Sequence, residues 1–220
     1  METTLHRQLK ALYAGTEARV EERVAGYRID AIRGGQLVEI QHGGLAAIRG
    51  KIARLLEEHE VLVVKPLVAR KQLVRLSKRG GKEVSRRLSP KQATLLDLFH
   101  ELVYFTRVFP HPNLTLQVPL VEIEERRYPG HGRRRWRKDD HVVEDQRLVS
   151  VSAVHTFRIA ADLLALLPAK LPQPFHTGHL ADGLGIHRWI AQRIAYCLRH
   201  TGAAAICGKA GNAVLYKRAA

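Results

Sequence analysis

A chain of 220 residues with 45% apolar side chains can bury a full hydrophobic core, as one large domain or two small ones. Its formal net charge of +15 and pI of about 10.3 point to polyanionic partners, nucleic acid before any other. No apolar run approaches a membrane span and Met1-Glu2-Thr3-Thr4 is not a secretory start, so a cytoplasmic protein with no membrane partner is expected.

In chain order, Thr3 or Thr4 can cap a first amphipathic helix that uses Leu5, Leu9, Leu12 and Tyr13, and Gly15 can end it. Ala18–Val24 reads as a strand. The stretch Tyr27–Gln41, YRIDAIRGGQLVEIQ, then places Asp30 after a short apolar run. A Gly34-Gly35 turn and a second strand, Leu37–Gln41, follow. Residues two apart on a strand share a face, so Glu39 and Gln41 point together while Val38 and Ile40 pack inward. Pairing through the Gly-Gly turn brings Asp30 near Glu39. A carboxylate in an apolar strand is expensive unless it is paired or metal-bound. Two carboxylates and the Ile40 carbonyl would make an all-oxygen site of the kind Mg²⁺ or Mn²⁺ prefers.

The spacing Asp-x8-Glu-x-Gln resembles the active-site signature of the PD-(D/E)XK nuclease superfamily. The order helix, hairpin strands, helix (Leu45, Ile48, Ile52, Leu55, Leu56) and apolar strand Val61–Val64 resembles its core over roughly residues 3–66. The resemblance implies an α/β restriction-endonuclease-like core, a mixed sheet flanked by helices. It also implies catalytic Asp30, Glu39 and Gln41, with Asp30, Glu39 and Ile40 as metal ligands. Gln41 stands where the family usually has Lys; it can orient a water by hydrogen bonding but brings no charge. Glu2, His6 and Glu17 are further polar candidates beside that site.

The basic charge is clustered. Residues 1–60 are balanced, with nine Lys/Arg and nine Asp/Glu, whereas residues 64–91 carry ten Lys/Arg against Glu83 alone. Lys71–Leu76 and Glu83–Leu88 read as a hairpin with the basic tip Lys78-Arg79-Gly80-Gly81-Lys82, either a charged, solvated edge or a nucleic-acid contact. Ser89-Pro90-Lys91 predicts a helix start, with the helix running to about Val108. Leu114–Glu124 alternates as a strand. Arg126–Lys138, RRYPGHGRRRWRK, carries seven basic residues and no acid. Arg133, Arg134, Arg135, Trp136 and Arg137 are its candidates for gripping DNA.

From about Ser152 the pattern predicts an apolar helix, Val154–Leu167, then a short helix capped by Thr177 and a longer one from His187 to His200. A hairpin about Gly208–Asn212 follows. This stretch resembles a winged helix-turn-helix, giving domains 1–151 and 152–220. By that resemblance His187, Arg188, Gln192 and Arg193 read the major groove, and Lys209 and Lys217 meet phosphate. Ile186, Ile190, Ile194 and Leu198 face inward. Cys197 and Cys207 read as buried small hydrophobes.

Two functions follow as expectations. One is a Mg- or Mn-dependent endonuclease that hydrolyses DNA phosphodiester bonds, with RNA as the alternative substrate. The other is a non-catalytic DNA-binding regulator or accessory factor on an inactive nuclease-like scaffold. Cutting both strands of a duplex would favour a homodimer. The whole assembly also looks like uncharacterised bacterial proteins that join a nuclease-like region to a winged helix.

Overall fold

The computed structural model of the protein describes residues 3–15, 18–130 and 140–219. Helix α1 (Thr4–Ala14) begins where the Thr3 hydroxyl accepts from the His6 amide at 3.3 Å. Leu5 and Leu9 are fully buried, but Leu12, assigned to the same face from sequence, is 57% exposed. The single strand expected over Ala18–Val24 is instead two short ones, β1 (Arg19–Val20) and β2 (Arg23–Val24). Glu21 interrupts them with φ of 59°, a conformation no strand accommodates. β3 (Tyr27–Arg28) pairs with β2.

Gly34 and Gly35 adopt φ of 56° and 87°, which the two central residues of a tight hairpin turn require. They join β4 (Ala31–Arg33) to β5 (Gln36–Ile40), with Ala31 opposite Val38. A 3-10 turn, Leu45–Ile48, leads into α2 (Arg49–Leu55). β6 (Val61–Val64), buried at every residue, lies parallel to β5. β7 (Leu67–Leu76) and β8 (Glu83–Leu88) form the expected hairpin.

Ser89-Pro90-Lys91 does not start a helix. The Ala93 amide donates to the Val68 carbonyl at 3.0 Å and holds the segment extended. Helical turns begin only at Leu95, where Thr94 and Asp97 cap each other, and α3 (Leu98–Leu102) is a short remnant of the helix expected to reach Val108.

β9 (Leu114–Pro129) ties the sheet together. Its first residues run parallel to β6, with Val61 opposite Leu114, and its later residues parallel to β7, with Arg75 opposite Arg127. β10 (His141–Phe157) pairs antiparallel along the other edge, from Pro129 to Leu116. The strand order is β1-β4-β5-β6-β9-β7-β8, with β10 on β9. This is an α/β protein with a mixed sheet flanked by helices. α1 covers one face over Val38, Leu62 and Val64, and α2 and α3 pack into the larger apolar cluster on the other.

β10 takes the first four residues of the helix expected over Val154–Leu167, up to Phe157, and runs through the expected boundary at 151/152. What remains is a 3-10 stretch, Ala160–Leu166. VSVSAVHTF pairs with β9 from Ser150 to Phe157, with bulges at Val149 and Ser152, and cross-strand bonds along β9 outweigh local helix preference there.

Helix α4 (Thr177–Leu184) is capped not by Thr177 but by His176, whose Nδ1 accepts from the Gly178 and His179 amides. Gly185, in the left-handed conformation, closes it. Helix α5 (Arg188–His200) buries Ile194 and Leu198 in the same cluster as α2 and β6, with Ile186 and Ile190 packed at its margin. β11 (Ala204–Ala210) and β12 (Ala213–Arg218) form the closing hairpin. Cys197 is buried as expected; Cys207 is exposed. Among the described residues no helix is long and apolar enough to cross a membrane.

Candidate active site

The β4–β5 hairpin brings Asp30 and Glu39 together, because Asp30 immediately precedes β4 and the register runs backward from Ala31 opposite Val38. Asp30 Oδ2 accepts from the Ile40 amide at 2.8 Å, and Oδ1 lies 3.1 Å from His6 Nε2. Burial works against ionisation of Asp30. The bonds from His6 and the Ile40 amide outweigh it and hold the carboxyl below its usual range.

Glu39 is 7% exposed in a strand whose neighbours Val38 and Ile40 are core. Burial raises its pKa, the Lys51 ammonium at 2.5 Å only partly offsets that, and the Asp30 charge adds to the rise. Two acids that disfavour each other's charge at one place are what a hard divalent cation relieves. Among the described residues no three His, Cys, Asp or Glu side chains group to hold a metal. The oxygens gathered there are the two carboxylates and backbone carbonyls; Mg²⁺ is an ion that keeps several waters and takes one or two carboxylates.

Lys51, on α2, is a site residue that the sequence motif does not point to. The signal was its spacing: Lys51 stands three residues after Ile48 and four before Leu55, both buried, and so lies along the inward stripe. Its Nζ also donates to the Arg28 carbonyl at 2.5 Å. Lys51 supplies beside Glu39 the positive charge that Gln41 cannot. Gln41 itself donates from Nε2 to the Gly44 carbonyl at 2.9 Å, so its amide is tied to its own loop.

Of the three polar candidates beside the motif, the structure singles out His6; Glu2 and Glu17 lie outside the described residues. His6, Lys10, Arg28, Asp30 and His42 line an open pocket of about 430 Å³. Lys10 and Arg28 there pair with Glu21. His42 also lines a neighbouring pocket with Lys71, Lys91 and His100, so it stands between the two. Burial, then the charges of Lys65 and Lys71, hold the His42 imidazole below its usual pKa.

The expected nucleic-acid contacts are dispersed. Lys78, Arg79 and Lys82 are exposed at the β7–β8 tip, and Arg79 lies in a surface depression shared with Thr3 and Arg7. Arg133, Arg134, Arg135, Trp136 and Arg137 lie outside the described residues. His187, Arg188 and Gln192 are exposed at the start of α5, as are Lys209 and Lys217 on the closing hairpin. Arg193 is engaged within the fold: Nη1 is 3.0 Å from His100 Nδ1, and the guanidinium lies 5.3 Å from the centre of the Trp189 ring.

No solved structure matches the chain. It is 31% identical over 224 residues to an uncharacterised protein of Treponema pallidum (strain Nichols), covering 99% of this chain and 85% of that one. Residues 3–158, ending one residue beyond β10, match a family described only as a domain of unknown function, DUF8091. The chain belongs to the DUF8091 family.

Proposed function

We propose that the protein is a metal-dependent endonuclease that hydrolyses nucleic-acid phosphodiester bonds, DNA first, with a restriction-endonuclease-like core and a winged helix-turn-helix formed by α4, α5, β11 and β12. The observation that carries this is the Asp30–Glu39 pair: two carboxylates opposed across a hairpin, one of them buried in an apolar strand, with Lys51 against it. Asp30, Glu39 and the Ile40 carbonyl would hold Mg²⁺ or Mn²⁺. When bound, the ion would lower the pKa of a water and stabilise charge on the phosphate.

The chain's own residues do the rest. His6 and the Ile40 amide fix Asp30 in its ionised form. Lys51 offsets part of the burial that disfavours the Glu39 charge and places an ammonium where negative charge develops on the phosphate. Gln41, freed from Gly44, can orient a water. The exposed basic groups at the β7–β8 tip and on α5 supply backbone contacts.

A second reading, a DNA-binding protein on a catalytically silent scaffold, is favoured by the Lys51–Glu39 pair, which already neutralises one carboxylate, and by the Gln41 amide turned to Gly44. Cleavage of single-stranded, duplex and branched DNA, and of RNA, with Mg²⁺, Mn²⁺ or EDTA separates the two. The nuclease reading expects metal-dependent cutting by the wild type and none by Asp30→Ala or Glu39→Ala. Tight, metal-independent binding of uncut duplex would replace it with the regulator.

A further inference from the structure

The sheet formed by β8, β7, β9 and β10 has two charged faces that differ in one respect. On the first, each arginine meets a carboxylate: Arg70 with Glu122, Arg86 with Glu83 and Glu124, Arg126 with Glu144. On the second, Arg87, Arg75 and Arg127 come from three adjacent strands, with Arg75 directly opposite Arg127 and next to Ser85. Among the described residues none of these three forms a close ion pair with a carboxylate, although the Arg127 charge reaches Glu125 and helps hold its carboxyl below the usual range. Arg127 approaches His141 Nε2 at 3.5 Å instead. Like charges opposed across a ladder destabilise it unless an anion lies between them.

The three guanidiniums line a concave pocket of about 260 Å³ with Ser85, Tyr128 and His141. Asp140 also lines it, and is the one carboxylate to do so among the described residues. Glu125 faces the same side, but Lys71 and Gln146 already take it, at 2.7 and 2.9 Å. The geometry points to a phosphate-binding pocket for a nucleic-acid strand, formed by Arg75, Arg87 and Arg127 with the Ser85 hydroxyl, resting on the nucleic-acid reading above.

The pocket extends the candidate active site. Lys71 lies on the arginine face, four residues before Arg75 on β7, a separation of about 13 Å along a strand. Lys71 also lines the pocket it shares with His42, and His42 lines the one that holds Asp30. A strand whose scissile phosphate sits at Asp30 can therefore run past His42 and Lys71 to the arginines. Planar guanidinium forks suit phosphate oxygens.

The test is equilibrium binding of labelled single-stranded DNA, duplex DNA and RNA in EDTA, at several salt concentrations, by fluorescence anisotropy. For the nucleic acid that the wild type binds tightest, Arg75→Ala/Arg87→Ala should lower the slope of log K against log salt by about 1.5. It should also weaken binding roughly 30-fold at 0.1 M salt. Arg70→Ala/Arg86→Ala removes the same charge from the same two strands on the opposite face and should leave the slope unchanged. Should the first pair not fold, Arg75→Gln alone should lower the slope by about 0.7. Equal losses from both faces, or a wild-type slope in the arginine-face variant, would overturn the pocket. Binding is read in EDTA, where no metal-dependent cutting occurs, so a failed nuclease reading leaves this result readable: binding that needs the arginines, with no cleavage, upholds the pocket alone.

Discussion

Replacing Lys51 with methionine keeps the aliphatic stem and removes the ammonium 2.5 Å from Glu39. The two side chains retain 17% and 10% of their accessible surface, so little water reaches the carboxylate left behind. Breaking a buried pair from one side costs about 3–5 kcal/mol, and the ability of Glu39 to take up a proton sets the loss near the lower end. For a chain of this size about 3 kcal/mol corresponds to a fall in Tm of roughly 6–12 °C. The sign with pH follows from the direction of the Glu39 shift. Its native pKa is already raised by burial, above 4.5, and losing Lys51 raises it further. The native state then holds a proton that the unfolded state has released, so the destabilisation is small below 4.5 and grows as pH rises through the native pKa. Calorimetry of both proteins at acidic and alkaline pH should show the wider gap at alkaline pH. Adding Glu39→Gln should recover more than half the loss, since a neutral amide needs no cation. An alkaline Tm within about 1 °C of wild type, or a gap independent of pH, would refute the pairing.

His6→Ala should raise the Asp30 pKa and cost about 1.5–3 kcal/mol, the worth of a hydrogen bond to a charged group. Because the native Asp30 pKa is depressed, that stability is present above 3.8 and lost as pH falls through the native value; urea titrations across acidic pH should show the two proteins converging there. Gln41→Lys, two residues from Glu39 on the same face, should restore metal-dependent cleavage to Lys51→Met; no cleavage in the double variant would show that a positive charge at this position is not what the site lacks.

The hairpin was legible because its determinants are local. Two consecutive glycines fix the turn, and alternation fixes which side chains face Glu39. β6 was legible for the same reason, four apolar residues bounded by Pro66. Long-range pairing defeated the local signals elsewhere. Ser89-Pro90 is a sound helix start, but one bond from Ala93 to Val68, outside any local window, holds the chain extended. Val154–Phe157 suits a helix as well as a strand, and pairing with Leu116–Pro119 of β9 makes the choice. Lys51 is twelve residues from its partner, so only its place on the buried helical stripe could have marked it. The arginine pocket draws on four strands, and no single stretch of sequence contains it.

β9 also has a consequence for how the chain is made. β6 and β7 both wait for a partner that leaves the ribosome about fifty residues later. At ~5–20 residues per second, that interval is roughly 3–10 s. For that time β6, apolar on both faces, has an unpaired edge, the condition in which nascent chains aggregate. The hairpin of β7 and β8 meanwhile presents Lys71, Arg75 and Arg87 beside that edge, a charged flank that discourages strand addition from other chains until β9 arrives.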